Sequence, residues 1–278
     1  MKIQELSNVG KSPINLGLDR APGDWLYLVL RGEVPPFLDG KFVCPSDKQP
    51  ISESNTIADD LIERAIRSRV LGNRKPEIKL ADEAILTLEN KLVELLSPTE
   101  SRKIIVDILF MAEYFPVSEP DKAVEVLFNL VKKEELRKWP SLHEDAHRMS
   151  INALASKLEY AKNIPEGLTE DLVCELANSD YCVSAFRALM KVSPELAIEK
   201  LPEVVKVLET EPASSLLLIE CLSKELRKQE HLITQVANTL RKFNLTEVTI
   251  KIAQELKKNC ANETALKLVN ESGATQLL

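Results

Sequence analysis

From Ser54 to the C-terminus, apolar residues recur at intervals of three and four, and Ser, Thr, Asp or Pro stands at most of the breaks between runs. An α-helix returns to one face every 3.6 residues and a strand every two, so this spacing predicts consecutive amphipathic helices. The breaks place them at about 56–71, 78–96, 99–115, 120–135, 142–162, 168–178, 180–193, 195–209, 213–228, 231–243, 245–258 and 261–271. Almost nothing is left over for strands. The stretch before them is different: five of the eight Gly and six of the fifteen Pro lie within the first 50 residues, so helix-breaking residues concentrate where the periodicity is missing. There, the run Trp25–Val34 is β-prone and ends at Pro35-Pro36, and Leu38–Val43 carries an Asp-Gly turn signal. The reading is a loop-rich segment over 1–53 with one short hairpin, packed through Trp25, Leu28, Leu30, Phe37 and Phe42. It would cap the helical body at 54–278 or act as an arm that docks on another chain.

The helical part repeats itself. A shift of 32 residues superposes Leu172, Val204 and Val236, then Val173, Val205 and Ala237, then Leu176, Leu208 and Leu240. The following helices keep the register, with Phe186, Leu218 and Ile250 equivalent, and Leu189, Cys221 and Ala253. Farther upstream, Leu92, Val93, Leu96, Ile105 and Leu109 match Leu172, Val173, Leu176, Ala185 and Leu189. Helix pairs with a period near 32 predict an all-α fold, an α-solenoid of about five antiparallel pairs at 78–115, 120–162, 168–193, 195–228 and 231–258. A pair of this size cannot bury its apolar stripe alone, so each stacks on the next. The second pair is irregular, because Lys132–Leu142 inserts a long charged connection, and helices 56–71 and 261–271 would cap the ends.

The segment Ser179–Glu209 resembles the HEAT-like and armadillo-like repeat proteins. Asp180 and Val183 open a helix with Ala188-Leu189 in its middle, and the next helix runs through Leu201-Pro202 to Val207-Leu208. It departs from the family where Ser184 follows Val183, a position at which that pattern most often carries Arg, and its period is shorter than usual. The resemblance implies binding surfaces, catalysis being a minority occupation on such folds.

Composition narrows the function classes. The chain has 278 residues, 44% of them hydrophobic, and a net charge of −7, which suits a sizeable core and excludes a disordered chain. No apolar run reaches the length of a membrane span and the N-terminus lacks the apolar core of a signal peptide, so the expected compartment is the cytoplasm. Cys44, Cys174, Cys182, Cys221 and Cys260 form no CxxC and no metal-ligand spacing with the three His, and are expected to be reduced, small buried side chains. No Gly-rich phosphate loop is present, and no cofactor is expected.

One string carries enzymatic chemistry. His143-Glu144-Asp145-Ala146-His147 matches HExxH, in which two His one turn apart hold zinc and the Glu activates its water. Charged Asp145 and Arg148 depart from such helices, and a third ligand would have to come from residues opposite the His pair, such as Asp180 or Cys182. A structural account covers the same residues: Ser141 and Glu144 form a capping box, while His143 and His147 continue the core stripe of Ile151, Leu154 and Leu158.

Charge is uneven. Arg64, Arg67, Arg69, Arg74, Lys75 and Lys79 face only Glu77 in sequence, and the pairs Arg227-Lys228, Arg241-Lys242 and Lys257-Lys258 recur at helix ends, where the helix dipole favours cations. Between them Glu195, Glu199, Glu203, Glu209, Glu211 and Glu220 make an acidic middle. The expectation is a non-enzymatic protein-binding scaffold or regulator that holds a protein with a basic patch. Its candidate contacts are Arg187, Lys191, Glu220, Lys224 and Trp139, the last in the irregular connection. A metal-dependent hydrolase using His143, Glu144 and His147, and a nucleic-acid-binding solenoid using the basic segments, are the alternatives, although an acidic chain disfavours wide phosphate tracking.

Overall fold

A computed structural model describes residues 37–38, 41–42, 61, 64–65, 67, 75–96, 101–133, 136, 146–209 and 211–274. Among them the chain is helical almost throughout. The α-helices are α1 (Lys75–Leu96), α2 (Ser101–Tyr114), α3 (Pro120–Val131), α4 (Ala146–Leu158), α5 (Leu168–Glu175), α6 (Cys182–Val192), α7 (Pro194–Val207), α8 (Pro212–Lys228), α9 (Ile233–Lys242), α10 (Thr246–Lys258) and α11 (Asn262–Ser272). A turn of 3-10 helix, Glu230–Leu232, leads into α9.

The chain divides into two compact units, Met1–Pro76 and Glu77–Leu278. In the first, β1 (Phe37–Leu38) and β2 (Lys41–Phe42) pair antiparallel with Phe37 opposite Phe42, where the Asp-Gly signal puts a hairpin. Leu61 and Ala65, one helical turn apart, are helical and buried, whereas Arg64 and Arg67 are half-buried. The run Trp25–Val34 and the side chains expected to pack this segment lie outside the described residues.

The helix boundaries of the second unit follow from local chemistry. Pro120, Pro194 and Pro212 stand at the first turns of α3, α7 and α8, where a missing N–H costs nothing and the fixed φ suits a helix. Three consecutive helices, α9 to α11, close with a residue of left-handed backbone: Asn244, Cys260 and Gly273, at φ 55°, 60° and 78°. The N–H of the next residue, Leu245, Ala261 or Ala274, donates to the carbonyl of Leu240, Leu256 or Val269 at 2.9, 2.9 and 3.1 Å. This is the Schellman closure, which satisfies carbonyls that a helix end leaves without partners.

Packing sorts the helices into two series. In one, α2, α4, α6, α8 and α10 each pack on the next, and in the other α3 packs on α4, α5 on α6, α7 on α6 and α9, and α11 on α9 and α10. Of the five sets of positions related by 32 residues, two are buried throughout and three mix buried with half-buried members, Val173 and Val205 being half-buried where Ala237 is buried. Leu172, Val204 and Val236 are fully buried, as are Leu176, Leu208 and Leu240. Phe186 and Leu218 are buried, as are Leu189 and Ala253, while Ile250 and Cys221 are half-buried. Ile105 and Leu109 of α2 match Ala185 and Leu189 of α6, all four buried.

Carboxylates fasten the connections. Asp82 of α1 accepts from the Ser118 N–H at 2.9 Å and its hydroxyl at 2.7 Å. Asp121 accepts from the backbone N–H groups of Lys162 and Asn163, at 2.6 and 3.0 Å, which hold its carboxyl below the usual range. Cys182 is buried and Cys221 half-buried, but Cys174 and Cys260 are exposed, which corrects the expectation of uniformly buried thiols. Cys174 is not among the buried residues of α5, and Cys260 occupies the turn that ends α10.

Candidate interaction surface

Four of the candidate contacts fall in one series of helices: Arg187 and Lys191 on α6, Glu220 and Lys224 on α8. Trp139 lies outside the described residues, as do His143 and Glu144. Arg187 and Lys191 are one helical turn apart and both are engaged within the molecule. The Arg187 Nη1 donates to Glu113 Oε1 of α2 at 3.2 Å. The Lys191 Nζ lies 2.8 Å from Glu225 Oε1 of α8 and 3.5 Å from Glu159, just past the end of α4. Glu159 is held in turn by Lys228 at 2.6 Å. Charge pairs therefore join α2 to α6, and α4 to α6 to α8.

The depth of these groups decides what they do. The side chains of Lys191 and Glu225 are only 9% and 4% exposed, so water screens their attraction poorly and removal of either strands the other. Lys157 of α4 is also buried, at 3% exposed, and its amine donates to the carbonyl of Phe115 at 2.5 Å. Phe115 comes directly after the last residue of α2, so the amine satisfies a helix-end carbonyl at the pole that favours a cation. Burial lowers the Lys157 amine to about 8, against the pull of Glu113, while burial raises Glu113 despite Arg187, Lys157 and Arg148 around it. Burial also raises the Cys221 thiol to about 12, which leaves it a neutral, unreactive group among Glu225, Arg187, Lys191 and Lys224.

The solvent-facing side of this series is different. Along α4, α6 and α8, Arg148, Lys224, Arg227 and Lys228 are exposed and Arg187 is one-third exposed, while the exposed acidic groups are Glu220 and, just past α4, Glu159. Leu217, Cys221, Lys224 and Lys228 lie along one stripe of α8 at helical spacing, and Leu217 and Tyr160 are exposed beside these charges. The acidic middle lies mostly elsewhere: Glu195, Glu199 and Glu203 are on α7, Glu209 and Glu211 in its connection to α8, and only Glu220 is on α8. The three C-terminal basic pairs occupy the last turns of α8, α9 and α10, where the dipole favours them.

The second His of the HExxH string is a core residue. His147 is fully buried on the stripe of Ile151, Leu154 and Leu158, with its Nε2 3.3 Å from Glu175 Oε1 and its ring edge-on to Tyr181 at 4.7 Å. Glu175, rather than Asp180 or Cys182, is the carboxylate facing it. Among the described residues no group of three or more His, Cys, Asp or Glu converges as a metal site. Two depressions open to solvent, one of about 410 Å³ along α9 at His231, Gln235 and Asn238, and one of about 200 Å³ between Asp82, Leu86, Val117 and Lys122. The first is lined by His231 with Thr234 and Thr239, and in the second the Ser118 hydroxyl donates to Asp82 at 2.7 Å.

The carboxylates Glu113, Glu159, Glu175 and Glu225 are the site residues that sequence reasoning misses. A signal is present: Glu175 stands three residues after Leu172 and Glu225 three after Leu222, and Lys157 three after Leu154, all on core-facing stripes where a charge needs a partner. Comparison with protein-family models, curated proteins and solved structures gives no match.

Two stability measurements check this account. Lys191→Met strands the buried Glu225 carboxylate and is expected to cost about 3 kcal/mol in urea denaturation, whereas Lys191→Met with Glu225→Leu restores most of it. Equal losses in the single and double variants contradict the pairing. Lys157 supplies the pH test. Its folded pKa of about 8 lies below the ordinary 10.5, so above pH 8 the unfolded chain binds more protons and stability rises with pH. Between pH 8 and 10 the wild type gains stability relative to Lys157→Met, the raised thiols contributing equally to both proteins; parallel profiles contradict the assignment.

Proposed function

We propose that residues 77–278 form a HEAT-like α-solenoid with a period near 32, and that the exposed side of α4, α6 and α8 binds a partner protein without catalysis. The recurrence of burial at positions 32 residues apart, together with the succession of α2, α4, α6, α8 and α10, supports the solenoid. The observation that carries the binding reading is the band of charge across three successive helices. Its lower tier, Glu113, Arg187, Lys191 and Glu225, is locked internally, which fixes the helices that present the upper tier of Arg148, Glu220, Lys224 and Lys228. A preformed charged surface gains affinity because little ordering is needed on binding.

The hydrolase reading has less support. A catalytic zinc keeps an open position for water and substrate, whereas His147 has no exposed surface and Glu175 lies against its Nε2. The nucleic-acid reading rests on basic pairs that sit at the ends of three different helices in a chain of net charge −7.

Affinity capture from a lysate, run in parallel with wild type, Lys224→Glu and Lys267→Glu, tests the reading. Both substitutions reverse one exposed lysine, on α8 and on α11. A stoichiometric protein retained by wild type and Lys267→Glu but lost from Lys224→Glu is expected. A partner retained equally by all three contradicts the proposed surface.

A further inference from the structure

We infer that the α4–α6–α8 surface takes an acidic, extended segment of a partner protein, with the exposed cations Arg148, Arg187, Lys224 and Lys228 as its contacts. The inference rests on the protein-binding reading and names the partner's chemistry. It reverses the sign that the acidic middle of the sequence suggests, because that acidic run belongs mainly to α7 and the connection after it.

The charges on this series do not cancel. On α4, α6 and α8 the cations are Arg148, Lys157, Arg187, Lys191, Lys224, Arg227 and Lys228, against Glu220 and Glu225 on the same helices and Glu113 and Glu159 packed against them, an excess of positive charge in a molecule whose total is −7. Depth increases the imbalance at the surface. Glu113 and Glu225 are 13% and 4% exposed and are already held by Arg187 and Lys191, so these two carboxylates lie beneath the cations, whereas Glu159, 37% exposed, pairs with Lys228 at the surface. Arg187 spends one Nη1 contact on Glu113 and still reaches solvent with a third of its side chain, leaving guanidinium donors for a second carboxylate.

The cations are neighbours rather than scattered. Arg148 and Arg187 both act on the Glu113 carboxyl, and Arg187, Lys191 and Lys224 all act on the Cys221 sulfur. Ion pairs of Arg187 with Glu113, of Lys191 with Glu225 and Glu159, and of Lys228 with Glu159 make a line of contacts from α2 through α6 to α8 and the end of α4, with Lys224 next to Glu225 in the chain. Helices packed about 10 Å apart put such cations at the reach of carboxylates three residues apart on an extended chain, at about 3.3 Å per residue. Exposed Leu217 and Tyr160 offer apolar contacts beside the line, which suits a peptide with interspersed apolar residues. A nucleic acid fits less well, since Glu159 and Glu220 interrupt the band and would repel a continuous phosphate chain.

The test uses the full chain and a fluorescein-labelled peptide of about 12 residues that repeats Glu-Leu-Asp-Ser, long enough to cross three helices. Fluorescence anisotropy is expected to show saturable binding that weakens from low to physiological salt. Lys224→Glu is expected to raise Kd about tenfold, equivalent to about 1.4 kcal/mol, while Lys267→Glu changes it less than twofold. Equal effects of the two variants, or no binding, overturn the inference. If a Lys-Leu-Lys-Ser peptide binds instead and Glu220→Lys weakens it, the acidic assignment falls while the protein-binding reading stands. If a single-stranded oligonucleotide of similar length displaces the acidic peptide with the same dependence on Lys224, the surface is a general polyanion site and the inference is likewise overturned.

Discussion

Lys191 is the charge on which three helices meet. Its amine reaches Glu225 of α8 at 2.8 Å and Glu159 beyond α4 at 3.5 Å, from a side chain almost closed to water. A buried ion pair is a poor source of net stability, because the desolvation of both partners offsets their attraction, but it penalises every arrangement that separates them. Apolar stripes alone allow two helices to slide by a fraction of a turn at modest cost, whereas a buried amine that must keep its carboxylates does not. The register between α4, α6 and α8 depends on that constraint.

The same constraint accounts for the division of charge by depth. Arg187 and Lys191 reach down to Glu113 and Glu225, and Lys157 turns inward to the carbonyl that ends α2. Outward there remains a set of cations held on fixed helices, with two carboxylates among them. The polar chemistry of this protein is thus one network with a structural side and a surface side, and Arg187 belongs to both. Around it, Asp82 and Asp121 fasten the α2–α3 and α4–α5 connections through backbone amides, so the helix ends are anchored by the same device of a carboxylate facing donors from elsewhere in the chain.

Much of the helical architecture is legible in the sequence because its causes are local. The three- and four-residue spacing marks the core faces, Pro120, Pro194 and Pro212 mark three starts, and Asn244 and Gly273 mark two ends with residues that tolerate left-handed backbone. Cys260 does the same without any advance signal, having neither the short polar side chain nor the freedom of glycine. The ion pairs are a different matter. Glu113 and Arg187 are 74 residues apart and Lys191 and Glu225 are 34 apart, so no local period relates them. Their trace in the sequence is a charge on an apolar stripe, which tells that a partner exists but not which one. His147 shows the same limit: its place on the stripe predicts burial, while Glu175 at the end of α5 and Tyr181 before α6 come to it only through tertiary packing.

Native-state hydrogen exchange, compared between wild type and Lys191→Met, tests the central claim most directly. If Lys191 binds three helices into one cooperative unit, the amides of α6, α8 and the C-terminal turn of α4 lose protection together and by the same free energy. Loss of protection confined to α6, with α8 and α4 opening as they do in wild type, would contradict it.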